Sequence, residues 1–191
     1  MKLETLLTQN RSTIVNRWLD QILDTYPDDT HKFLKKQKNQ FANPVGYTLS
    51  EEIDRLYTEL LQGIDSDRAT SILDRIIRIR AIQDFSPSQA VGFILRLKEV
   101  IREKLETEIQ ENRLSDELIL FESRIDDLIL LAFEVYMRCR EKLYEIRANE
   151  TKNQVYRLLK RADLICEIPE WEPASEKGKI DNLQVIHNET R

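Results

Sequence analysis

The sequence predicts an all-α protein whose last helix is far longer than the others. Three observations carry that expectation. Glycine and proline are scarce, four and five in 191 residues, against 41% hydrophobic and 33% charged residues, a composition that suits helices rather than sheets joined by tight turns. Apolar residues recur at helical spacing through most of the chain. Residues 115–161 contain neither proline nor glycine, and as one helix they would span roughly 70 Å, about twice the width of a small domain. The first half of that stretch is apolar almost all round between Leu128 and Met137, and the second half is largely charged.

The elements follow in order. Asn10 or Ser12 can cap a helix to about Thr25 that carries Ile14, Ile22 and the core anchor Trp18, before Tyr26-Pro27-Asp28-Asp29 breaks it. The basic segment 31–38, with Phe33 and Leu34 as its only large apolar residues, reads as a solvated turn or two. Asn43-Pro44 starts the next helix, Val45, Leu49, Ile53, Leu56 and Leu60 mark its inner face, and Gly63 ends it. From Asp65-Ser66 a further helix turns Ala69, Ile72, Leu73, Ile76, Ile77 and Ile79 inward and leaves Arg75, Arg78 and Arg80 on other faces. The sharpest local signal is Phe85-Ser86-Pro87-Ser88-Gln89. There Ser86 caps, Pro87 takes the first helical position, and Gln89 falls where a capping box closes. The helix it opens runs to about Ile109, with Gly92 inside implying close approach of another backbone. A polar link over residues 110–114 leads into the long helix. Beyond Arg161, Pro169 and Pro173 exclude a regular helix, and residues 174–191 are polar and expected to be mobile.

This length supports one well-formed core with appendages. Residues 1–146 read as the helical domain, and residues 147–191 as helix end, proline-rich segment and tail. A net charge of −5 argues against a nucleic-acid binder, which needs surplus Lys and Arg for phosphates. Two distant cysteines, Cys139 and Cys166, and no signal peptide fit the reducing cytoplasm. The apolar run from Leu128 to Phe133 falls far short of the ~20 residues a membrane span requires, so no membrane insertion is expected.

Catalytic chemistry finds little to stand on. Asp28-x-x-His31 has the spacing of half a carboxylate-bridged di-iron site, but His187 is the only other histidine and no second such motif exists, so neither metal nor cofactor is expected. Cys139 falls on the apolar face of the long helix with no histidine near in sequence, and Glu167 beside Cys166 raises rather than lowers a thiol pKa. Adjacent carboxylates such as Glu51-Glu52 and Asp126-Asp127 point apart on a helix. No glycine-rich phosphate loop is present. The chain reads as a non-enzyme.

Charge is uneven at the C-terminal end. Residues 138–161 carry eight Lys or Arg against three acids, and residues 163–191 carry seven acids against three bases. This basic stretch is either a solvated face partly covered by its own tail or a docking surface for an acidic partner or anionic lipid. Tyr144, Val155, Tyr156, Leu158 and Leu159 add apolar anchors that favour a protein partner.

The run Arg78-Ile79-Arg80-Ala81-Ile82-Gln83-Asp84-Phe85-Ser86-Pro87-Ser88-Gln89-Ala90-Val91-Gly92-Phe93, with Asn43-Pro44-Val45-Gly46 upstream, resembles the N-terminal domain of the RsbR/RsbRD co-antagonists of the bacterial stressosome. The resemblance covers residues 6–146. It implies a globin-like helical fold without haem, serving as a sensory or interaction module and dimeric through its C-terminal helices. The lack of histidine between His31 and His187 agrees with the absence of haem. Co-antagonists of this type continue into a phosphorylatable STAS domain. Here the segment Ile168-Pro169-Glu170-Trp171-Glu172-Pro173 and a tail follow instead, so no phospho-acceptor carries over.

The leading expectation is a cytoplasmic regulatory module that forms a homodimer through Leu128, Ala132, Val135, Cys139, Leu143 and Ile146, although the same spacing serves an intrachain core equally well. It would present Tyr156, Leu159 and Trp171 to a protein partner. A second reading is a small-ligand sensor, with Arg78, Arg80, Gln83, Asp84, Phe85, Pro87 and Phe93 around a pocket; against it, Arg80, Gln83 and Asp84 read as a hydrogen-bonded junction fixing two helices. A third is an accessory subunit docked on a redox complex, since proteins with a similar tail resemble ones found near genes for sulfite-reduction membrane complexes.

Overall fold

The computed structural model describes residues 2–36, 41–83, 85–162 and 164. Among these the regular elements are all helices: α1 Leu3–Gln9, α2 Arg11–Leu23, α3 Asp28–Lys36, α4 Pro44–Gln62, α5 Ser66–Ile82, α6 Pro87–Val91, α7 Phe93–Asn112 and α8 Ser115–Arg161. The chain divides into two compact units, Met1–Asn149 and Glu150–Arg191. The hydrophobic core lies in the first. In the second, Val155, Tyr156, Leu158, Leu159 and Leu164 are all exposed. Trp171, Cys166, His187 and the tail lie outside the described residues, as does Asp84.

The helix starts follow their capping chemistry. Asn43 accepts from the Gly46 amide at 2.8 Å with Pro44 at the first position of α4, and Asp65 accepts from the Arg68 amide at 2.9 Å at the start of α5. Ser86 and Gln89 close a complete capping box on α6, in which the Ser86 amide donates to Gln89 Oε1 at 3.0 Å and the Gln89 amide to Ser86 Oγ at 3.3 Å. Asn10 behaves otherwise. It ends α1 and precedes α2, but its side chain donates back to the Leu6 carbonyl at 3.1 Å rather than capping forward. The short helix α1 exists because Leu3, Leu6 and Leu7, at i, i+3 and i+4, are buried together. The segment expected to be a solvated turn is instead the helix α3, held by buried Leu34 while Phe33 stays half exposed.

Gly92 separates α6 from α7. A Cβ there would lie 2.5 Å from the Ser88 carbonyl oxygen, so the close approach is that of the chain's own preceding turn. At the core, Trp18 is fully buried, donates from Nε1 to the Phe93 carbonyl at 2.7 Å and stacks on the Phe93 ring at 6.1 Å. This single side chain ties α2 to the start of α7. Tyr57 of α4 donates to the Leu7 carbonyl at 3.1 Å and ties α4 to α1.

The N-terminal part of α8 is fastened along its length. The Leu3 amide donates to Glu117 Oε2 at 2.8 Å, Arg102 of α7 grips Glu122 with two hydrogen bonds of 2.6 Å, and Lys98 pairs with Asp126 at 2.6 Å. Further along, Tyr136 donates to the Phe85 carbonyl at 3.0 Å and Arg140 to the Ala81 carbonyl at 3.4 Å. Burial of Phe121, Ile125, Leu128, Ala132, Val135 and Tyr136 makes one face of α8 part of the core.

Candidate functional site

Arg80 organises the most unusual site in the core. Its spacing from Leu73, Ile76 and Ile77 keeps it on the inner face of α5, so it is fully buried rather than turned to another face. The guanidinium carbon lies 4.4 Å from the Phe85 ring centroid and 5.5 Å from those of Tyr26 and Phe93. Nη2 donates to Thr25 Oγ1 and to the Gln89 carbonyl, both at 3.0 Å. Nε and Nη1 are buried without a partner, and so is the Tyr26 hydroxyl. Burial lowers the Arg80 pKa and raises that of Tyr26, and the closeness of the guanidinium and the hydroxyl partly opposes both shifts.

The local sequence explains the assembly. Thr25 and Tyr26 arrive from the break after α2, and Tyr26 meets Phe85 edge-on at 5.2 Å. The Ser86 capping box fixes the first turn of α6 and with it the Gln89 carbonyl. A surface concavity of about 380 Å³ opens over the same place, and four of its seven lining residues, Thr25, Tyr26, Phe85 and Gln89, are those that hold the guanidinium. Thr30 and Gln83 are among the others.

Of the residues that the sequence singled out around a pocket, Arg80, Phe85 and Phe93 come together in this cage and Gln83 on its rim. Pro87 is exposed at the first position of α6. Arg78 points elsewhere, pairing with Asp74 at 2.9 Å. It helps line a second groove of about 650 Å³ between α5 and α8, with Ile82, Cys139, Leu143 and Ile146. The Cys139 thiol lies 3.8 Å from Asp74 Oδ1, and burial together with that carboxylate pushes its pKa up. It is therefore held as a thiol, not poised as a nucleophile.

The expected seam divides in two. Leu128, Ala132 and Val135 are buried in the chain's own core, and side chains already covered by intrachain packing offer nothing to a second copy. Cys139 and Leu143 are half-buried and Ile146 is exposed in the α5–α8 groove. Besides Ile146, the large apolar residues that α8 leaves open in the first unit are Ile119, Leu120, Leu130, Phe133, Met137 and Tyr144. All but Leu120 cluster on the face opposite Leu128 and Cys139. Thr25 and Tyr26 were not singled out as site residues from sequence, and the outward stripe was read as apolar but not assigned to the expected seam. The Tyr26-Pro27 break and the 3-, 4- and 7-residue spacing of Leu130, Phe133, Met137 and Tyr144 were the available signals.

Among the described residues no group of three or more His, Cys, Asp and Glu could hold a metal ion, and no helix is long and apolar enough to cross a membrane. The family model of the RsbT co-antagonist protein RsbRD N-terminal domain matches residues 12–151. The chain belongs to this family. The match includes the Arg80 cage and the whole fastened part of α8. RsbRD N-terminal domains are of a regulatory, stress-signalling type. The chain is also 21% identical over 154 residues to an uncharacterized protein of Archaeoglobus fulgidus, covering 81% of this chain and 93% of that one. No solved structure matches.

Proposed function

We propose that this RsbRD-family domain is a non-enzymatic regulatory module that pairs with a second copy of itself through the outward face of α8. The observation that carries the reading is that α8 is apolar on two opposite faces, one consumed by the core and the other bearing Leu130, Phe133, Met137 and Tyr144, 39–67% exposed. Such a stripe of large side chains costs solubility unless a partner covers it, and an α-helix with apolar residues at 3-, 4- and 7-residue spacing packs well against a copy of itself. The basic residues 150–161, all exposed, then serve a protein partner, with Tyr156 and Leu159 as anchors.

Sedimentation equilibrium tests the pairing. The protein is expected to be a dimer at micromolar concentration, and Phe133→Asp with Met137→Asp should weaken association at least tenfold while leaving the helical circular dichroism unchanged. A monomer at several hundred micromolar overturns the proposal.

A further inference from the structure

We infer that the Arg80 cage is a binding site for a small organic carboxylate, entered through the concavity between Tyr26, Phe85 and Gln89. A fully buried guanidinium is costly unless opposite charge or a full set of acceptors meets it. The ion pairs among the described residues place carboxylates on Arg11, Arg55, Arg68, Arg75, Arg78, Arg96 and Arg102, all at the surface or its rim. Arg80, the buried one, has three aromatic rings and two neutral oxygens instead. Cation–π contacts offset part of the cost but leave the N–H groups in the ring plane unmet. Nε and Nη1 together hold three such N–H groups, and the neighbouring Tyr26 hydroxyl is also buried without a hydrogen-bond partner.

That donor set selects an anion and says which kind. An ionised carboxylate offers about four lone-pair sites and no donor of its own. A tetrahedral dianion such as sulfate needs more donors and loses more hydration on entering an aromatic-walled site. The concavity of about 380 Å³ is at the small end of ligand pockets, the size of a small metabolite rather than a nucleotide. Its apolar walls, the Tyr26 and Phe85 rings, suit the carbon part of such a molecule. Tyr26, Phe85, Thr25 and Gln89 both line the concavity and touch the guanidinium, so one of these side chains must move for a carboxylate to reach Arg80. The assignment does not depend on whether α8 pairs, and it is tested without reference to oligomeric state.

Thermal unfolding of the full chain in sodium acetate, pyruvate or benzoate, against sodium chloride and sodium sulfate at matched ionic strength, reads it directly. A carboxylate at ten times its dissociation constant should raise Tm by about 3 °C over chloride. The rise should vanish in Arg80→Met, which keeps an apolar side chain of similar length, and in Gln83→Trp, which crowds the entrance from an exposed rim position and spares the core. Amide resonances of Thr25, Tyr26, Gln83 and Gln89 should move in the same titration. No rise over chloride with any carboxylate, an equal rise in both variants, or a larger rise with sulfate than with carboxylates each overturns the assignment. A rise seen only when Asp84→Asn is introduced would overturn it as well, because the anion would then belong to the chain itself.

Discussion

Glu52 on α4 and Arg80 on α5 are both withdrawn from water, 2% and 0% exposed, but among the described residues only Glu52 meets opposite charge. Its Oε1 accepts from Arg75 at 2.6 Å and from Arg55 at 3.3 Å, and both arginines are themselves half exposed. The carboxylate is buried and its counter-charge stays solvated, so the cluster is a clasp between α4 and α5 with modest electrostatic strain. Arg80, about one and a half turns beyond Arg75 on the same helix, faces rings, the Thr25 hydroxyl and the Gln89 carbonyl and keeps Nε and Nη1 unmet. One helix thus supplies an arginine that meets a buried carboxylate and an arginine that meets none, although Glu52 Oε2 is itself buried without a hydrogen-bond partner. A charge buried with its partner explains stability; a charge buried without one asks what it is kept for.

The comparison can be broken at the cage, where the largest effect is expected. Phe93→Ala removes a ring from over Arg80 and from against Trp18, and should lower unfolding free energy by about 3–5 kcal/mol in urea denaturation. A loss under 1 kcal/mol would mean that the cage is not packed as described.

A sign difference sharpens it further. Arg80→Met, in the absence of any added anion, should raise stability by about 1–3 kcal/mol, as replacing buried charge with apolar volume does elsewhere. Glu52→Gln should lower it by about 1 kcal/mol, since a charge-assisted contact with Arg75 is exchanged for a neutral one. Equal signs for the two substitutions, read from urea midpoints at constant m-value, would erase the distinction between the sites.

The smallest effect is in alkali. Burial raises the folded-state pKa of Tyr26 above its ordinary value of 10.0, and it raises Tyr57 further. A group whose folded pKa is raised gives stability that is complete below its unfolded pKa and is lost as pH climbs past it. Urea midpoints should therefore be flat to about pH 9 and fall above pH 10. Because Arg80 pulls the Tyr26 pKa down against burial, Arg80→Met should steepen that fall. Tyr26→Phe in the same background should remove the added steepness.

The helices were largely legible because their ends are written in local chemistry. Asn43-Pro44, Asp65 and the Ser86–Gln89 box act within four residues, and the structure shows each one made. Where the expectation failed, the deciding contact was distant in sequence. α1 formed because Leu3, Leu6 and Leu7 found the core, which leaves Asn10 at its end to donate back to Leu6 within its own last turn. The same holds at the site. Position 80 continues the inner register of Leu73, Ile76 and Ile77, yet a charge there reads as solvated until rings 54 residues before it and 5 and 13 residues after it are seen to converge. The two faces of α8 were both visible as apolar, and periodicity could not say which one the core would take.

The ties along α8 also set an order of assembly. Arg102–Glu122 and Lys98–Asp126 join residues only 20 and 28 positions apart, whereas the Leu3–Glu117 hydrogen bond spans 114. Closing the short loops costs less chain entropy, so the α7–α8 hairpin is expected to be in place at the folding transition state and α1 to dock after it. Substitutions in the hairpin core such as Ile101→Val should slow folding, and Leu6→Ala should instead speed unfolding. Arg113, which holds the left-handed turn between those two helices at φ 54°, is then the residue whose replacement by glycine accelerates the first step.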